Sequence, residues 1–150
     1  MDLRFRVFGR VGRPVAEVFE AVVDPAHLSA YFTTGGARGR LETGATVTWD
    51  FADFPGAFPV EVVEVITPER IVLRWATIEK DRAGAMTEVT MTFTDTGDGR
   101  TLVEIAEHGW TESQPGLNAS YGNCMGWAQM LCAMKAWVEH RINLRDGMYV

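Results

Sequence analysis

Apolar and polar positions alternate with period two through most of the chain and switch to a helical period at two places. Residues 2–11, DLRFRVFGRV, put Leu3, Phe5 and Val7 on one face and Arg4 and Arg6 on the other, which predicts a first strand. Pro14 then opens a short helix, with Val15, Val18, Phe19 and Val22 as its apolar stripe. Asp24-Pro25 stops it, because a residue before proline avoids the α region. Asp24 or its neighbour caps a second short helix, PAHLSAYF, with Leu28, Tyr31 and Phe32 inward. The glycine-rich stretch 33–45 holds a short strand around 37–41. Residues 45–52 alternate, with Val47, Trp49 and Phe51 on one face. DFPGA (53–57) reads as a turn. FPVEVVEVI (58–66) is a strand whose alternation slips between Val62 and Val63, the mark of a β-bulge. Pro68-Glu69-Arg70 turns into a strand at 71–79, and KDRAGA (80–85) is a polar hairpin loop. Strand 86–94 places Val89, Met91 and Phe93 together. DTGDGR (95–100) is a turn of Asp and Gly, strand 101–110 follows, and TESQPGL (111–117) links to the end.

The last third, Asn118 to Leu144, has helical periodicity. Cys124, Trp127, Leu131, Met134, Val138 and Ile142 fall on one arc, widened by Met130 and Trp137; Gln129, Ala133, Ala136 and His140 fall opposite. That face is too broad for a coiled-coil seam and needs a concave surface to lie in. The edge at Met130 and Trp137 seals against the sheet or against a second subunit, so a homodimer stays open. Runs of strands followed by a helix indicate α+β with an antiparallel sheet.

The chain has 150 residues, which suits a single domain spanning 1–150. Its 47% hydrophobic content is that of a globular protein able to hold a core. A net charge of -6 argues against nucleic acid or an anionic membrane as partner. The start carries no apolar signal segment and no run is long enough to span a membrane, so a cytoplasmic location is expected. Cys124 and Cys132 on one helix lie about 12 Å apart, beyond disulfide reach, and reduced thiols agree with that location.

The pieces AEVFEAVVDPAHLSAYF, GGARGRLETGATVTWDF, VEVVEVITPERIVLRWA, the strand end EHGW and the helix opening GWAQMLCAMKAWVE occur in that order. In them the chain resembles the SRPBCC superfamily (START-like, birch-pollen-allergen-like), in the branch named for the activator of the heat-shock-protein-90 ATPase. The resemblance implies a helix-grip fold: a curved antiparallel sheet of six to seven strands wrapped round a long C-terminal helix, with two short helices after the first strand and an apolar cavity between sheet and helix. Members bind lipids, hormones or polyketides, some are cyclases or hydratases, and the eukaryotic namesake is a co-chaperone. The co-chaperone's additional N-terminal domain finds no room in this chain, which speaks against a chaperone partner.

The expected cavity lining is Trp49, Phe51, Phe58, Trp75, Met91 and Trp110 from the sheet, and Trp127, Leu131 and Met134 from the helix. Five Trp and seven Met favour an adaptable apolar site; the alternative is that these residues fill the space themselves. Glu107 shares the inward face of Val103 and Ile105, with His108 outward. A carboxylate there must be paired, hydrogen-bonded or raised in pKa. It could orient a ligand hydroxyl or serve as a general acid/base, or else reach solvent at the strand end or bond the N–H of Trp110 or Trp127. Tyr31 and Thr77 are the other inward polar candidates. Gly122 and Gly126 lower helix stability by about 1 kcal/mol each relative to Ala; they mark a cavity entrance or simple close packing. Arg38 and Arg40 in TTGGARGR could meet an acidic ligand, or merely lead into a strand. His27, His108 and His140 lack metal-ligand spacing, no Ser sits in a G-x-S-x-G elbow, and no metal or cofactor is expected. The leading function is binding of a small hydrophobic molecule, lipid-, polyketide- or aromatic-like. The alternatives are a cyclase or hydratase using Glu107 and a chaperone-ATPase-activator-like interaction domain.

Overall fold

The computed structural model describes residues 1–79 and 84–149. The elements are β1 (Arg4–Val11), α1 (Val15–Val23), α2 (Pro25–Tyr31), β2 (Gly36–Arg38), β3 (Thr46–Phe51), β4 (Phe54–Ile66), β5 (Arg70–Ala76), β6 (Met86–Asp95), β7 (Thr101–His108) and α3 (Gln114–His140). Most of the loop expected at 80–85 lies outside the described residues.

Alternation puts one face of each strand into the core. In β6, Thr87, Val89, Met91 and Phe93 are buried; in β7, Thr101, Val103, Ile105 and Glu107 are. The seven strands form one curved antiparallel sheet in the order β1-β7-β6-β5-β4-β3-β2. Register shifts by one between Val62 and Glu64 where β4 meets β5, at the slip in the alternation. The three helices begin with capping residues. Pro14 precedes α1 in extended conformation. The Asp24 carboxylate accepts from Ala26 N at 2.8 Å and starts α2. Ser113 Oγ accepts from Gly116 N at 3.1 Å and starts α3.

α3 lies in the curve of the sheet with Trp127, Met130, Leu131, Ala133, Met134 and Val138 buried. The result is an α+β helix-grip fold. α2 closes the Met130–Trp137 edge within the same chain: Trp137 Nε1 donates to His27 Nδ1 at 3.2 Å. Ala133, expected outward, is buried because it sits one turn before Trp137 on that covered side.

Several boundaries differ from expectation; β2 is confined to Gly36–Arg38 and β7 ends at His108. The turn expected at 53–57 is shorter and lies at 52–53: Phe54 pairs with Phe51, and β4 starts there. Prolines are tolerated in this half of β4 because β5 pairs only from Glu61 onward. Residues 77–79 lie beyond the end of β5 at Ala76. The expected linker 111–117 contains the first turn of α3, since the Ser113 cap and Pro115 initiate it. At the other end α3 stops at His140, because Arg141 takes a left-handed conformation (φ 56°). Ile142, expected on the buried arc, is therefore past the helix and exposed. Cys124, also expected on that arc, is only half-buried, and both cysteines are free thiols.

Among the described residues no helix is long and apolar enough to cross a membrane, and no three His, Cys, Asp or Glu side chains come together as a metal site.

Candidate functional site

The core fills the space between sheet and helix from Trp127 onward and stops short of filling it at the start of α3. A cavity of about 450 Å³ remains there. Its walls come from four places: Phe32 after α2, Phe51, Phe54 and Phe58 from the β3–β4 hairpin, Trp75 to Ile78 at the end of β5, and Gly122, Asn123, Gly126 and Trp127 on α3. Arg145 from the tail completes it. Two ring pairs meet edge to face, Phe58 on Trp75 at 5.9 Å and Phe32 on Phe51 at 5.0 Å between centroids, while Phe51 stacks on Phe58 at 5.8 Å. Phe54 and Ile78, 60% and 57% exposed, stand where the cavity meets solvent.

Gly122 and Gly126 of α3 create part of this volume. A Cβ at Gly122 or Gly126 would have nothing within 4 Å. Close packing is therefore not their reason. At Gly116 it is: a Cβ there would lie 2.0 Å from the carbonyl oxygen of Thr111.

Phe51, Phe58, Trp75 and Trp127 of the expected lining do face the cavity. The other placements need correction. Trp49, Met91 and Met134 lie in the core with no exposure at all, and Leu131 packs against Gly9 of β1. Alternation gives their face correctly, but the rings and the helix cover them. Trp49 sits behind the wall, edge-on to Phe32, Trp75 and Trp127. Trp110 belongs to a separate small cluster with Leu3 and Ala119, stacked on Phe5 at 5.5 Å.

Glu107 is inward, as its place in β7 predicts, and is 1% exposed. It stands behind the wall and holds it. Oε1 accepts from Trp75 Nε1 at 2.7 Å, from Thr87 Oγ1 at 3.3 Å and from Asn123 Nδ2 at 3.1 Å; Oε2 accepts from Asn123 Nδ2 at 2.9 Å. Trp127 Nε1 adds a weaker contribution from outside good hydrogen-bond geometry. Burial raises the carboxyl pKa above its ordinary value, and the donors, Asn123 foremost, offset only part of that. Trp75 and Asn123 line the cavity, so this one carboxylate orients two of its walls.

Tyr31 does not reach the cavity; its hydroxyl donates to the carbonyl of Ala21 at 3.0 Å, and burial pushes its phenol pKa far up. Thr77 does line it, and its hydroxyl donates to Glu79 Oε2 at 2.9 Å. Arg40 makes a two-pronged pair with Glu20, at 2.6 and 2.8 Å, and neither it nor Arg38 lines the cavity.

Arg145 and Asn123 are the polar lining residues that pattern reading missed. Asn123 lies one turn before Trp127, on the side facing an inward Glu107, and that juxtaposition was a usable signal. Nothing in the tail sequence points to Arg145.

Residues 13–139 match the family described as activator of Hsp90 ATPase homolog 1-like protein. No curated protein matches the chain. Among solved structures, protein SSP2350 from Staphylococcus saprophyticus aligns with TM-score 0.78 at 22% identity, over 95% of this chain and 96% of that one. DynU16, from the dynemicin biosynthetic locus, aligns with TM-score 0.77 at 26% identity over 93% of this chain; this chain spans 48% of its length. The Aha1 dimer from Colwellia psychrerythraea aligns with TM-score 0.77 at 16% identity, over 93% and 98% of the two chains. The first and third likenesses show the shared fold.

Proposed function

The chain belongs to the activator of Hsp90 ATPase homolog 1-like family, and on that premise we propose that it binds a small hydrophobic molecule between the sheet and the first half of α3. The observation that carries this reading is the unfilled, aromatic-walled cavity of about 450 Å³. It lies in the range of ~300–1,000 Å³ usual for small-molecule sites. Gly122 and Gly126 keep the helix side of it open at a cost in helix propensity. A relative from a biosynthetic locus agrees with a small organic ligand.

Glu107 supports a positioning part in this site rather than proton transfer. Both its oxygens face protein donors, and it does not line the cavity. Ligand occupancy would be read through Trp75 and Trp127, whose indoles form the wall. Tryptophan quenching with a panel of hydrophobic small molecules, combined with native mass spectrometry after mild purification, tests the reading. Saturable quenching by at least one compound is expected. No quenching across the panel, with no retained mass, would sink it.

A further inference from the structure

The tail after α3 brings a charge to an otherwise uncharged cavity lining. The chain turns back at Arg141, and Tyr149 reaches far enough to donate its hydroxyl to Gln129 Oε1 at 2.6 Å. Between them, Arg145 enters the cavity wall and is 7% exposed. Its guanidinium carbon lies 5.6 Å from the Phe32 ring, 5.4 Å from Phe51 and 4.6 Å from Tyr149.

A guanidinium has five N–H donors and keeps its charge at any ordinary pH. The rings attract its faces but leave the donors along its edge unserved. Among the described residues Arg145 makes no side-chain hydrogen bond, and its Nε is buried without a partner. Its one ion pair is with Asp53, Oδ1 standing 3.5 Å from Nη2, and that carboxylate also accepts from Thr34 Oγ1 at 3.4 Å. A largely buried cation whose Nε is unpaired and whose ion pair is long is unfavourable unless a better-placed acceptor completes it. A carboxylate does so well, because its two oxygens match the guanidinium fork. Arg145 is also the sole charged residue in the described lining.

We propose that the ligand is an amphipathic carboxylic acid, with its apolar body against Trp75, Phe58 and Trp127 and its carboxylate on Arg145. This rests on the cavity being a hydrophobic-ligand site and adds the chemical class of that ligand. Asp53 acts as the placeholder that the acid displaces.

Isothermal titration at neutral pH with naphthaleneacetate and its uncharged partner naphthaleneethanol tests this. The acid is expected to bind about tenfold or more tightly than the alcohol, the increment of one charge-assisted pair. That ratio should fall toward one in Arg145→Met, and rise in Asp53→Asn, which removes the competing carboxylate. Equal affinities in the wild-type chain would overturn the inference while leaving the hydrophobic-ligand reading intact. A preference for the acid that persists in Arg145→Met would also overturn it, by placing the anion elsewhere. A chain that binds neither compound would overturn the inference, and the hydrophobic-ligand reading would fall with it only if the quenching panel also failed. The wild-type ratio alone can overturn the inference, and circular dichroism shows that each variant used is folded.

Discussion

From Trp127 to Val138, α3 presents Trp127, Met130, Leu131, Ala133, Met134 and Val138 to the core, all buried. From Gln114 to Gly126 the same helix buries only Gly116, Ala119 and Ser120 and leaves Tyr121 and Met125 exposed. The two halves share one backbone and one partner sheet. They differ in what fills the space between. The second half supplies branched and sulfur-containing side chains that occupy it. The first half supplies Gly122, Asn123 and Gly126, which leave it open. The grip of sheet on helix is thus filled at one end and left open at the other.

The largest way to break that division is through the secured half. Met134→Ala should cost about 2–5 kcal/mol, the range for emptying a packed site. Urea or thermal unfolding would read it. Because Met134 does not touch the cavity, affinity for naphthaleneethanol should change little; a large loss would show that the halves are coupled. Next comes the start of the open half. A methyl at Gly116 would collide with the backbone oxygen of Thr111, so Gly116→Ala should cost about 1–3 kcal/mol by overpacking. A variant as stable as wild type would mean that the first turn of α3 shifts freely.

How far the division was legible differs between the halves. The secured half followed from periodicity: Trp127, Met134 and Val138 are where helical spacing places them, and Val103, Ile105 and Glu107 are where strand alternation does. Asp24 and the Val62–Val63 slip were legible for the same reason, since cap and bulge are local. Depth was not. Trp49 and Met91 have the expected face, but period two cannot say which inward residue another ring will cover. Arg145 was least legible, because its place depends on a left-handed turn at Arg141 that no glycine announces.

Glu107 belongs to the open end, since it holds Trp75 and Asn123 from behind. Its pKa is raised in the folded state, so the fold binds this proton more tightly than the unfolded chain does. The group's contribution to stability is therefore fully present below the unfolded value, about 4.3, and is lost as pH rises through the folded value. Urea unfolding over a pH series from about 4 to 7 should show this fall in wild type and lack it in Glu107→Gln. Parallel profiles for the two chains would mean that the donors fully compensate burial.

The smallest effect separates the halves most cleanly, because it should carry the opposite sign. Gly126 is helical, and a Cβ there would meet nothing within 4 Å. Gly126→Ala should then raise stability by up to about 1 kcal/mol, the difference in helix propensity. The same methyl enters the cavity wall, so affinity for naphthaleneethanol should fall. Met134→Ala predicts lower stability at nearly constant affinity; Gly126→Ala predicts higher stability at lower affinity. Unfolding and titration on the same two variants place both on one plot. If Gly126→Ala gains stability and keeps full affinity, the open half of the helix is open for some reason other than its ligand.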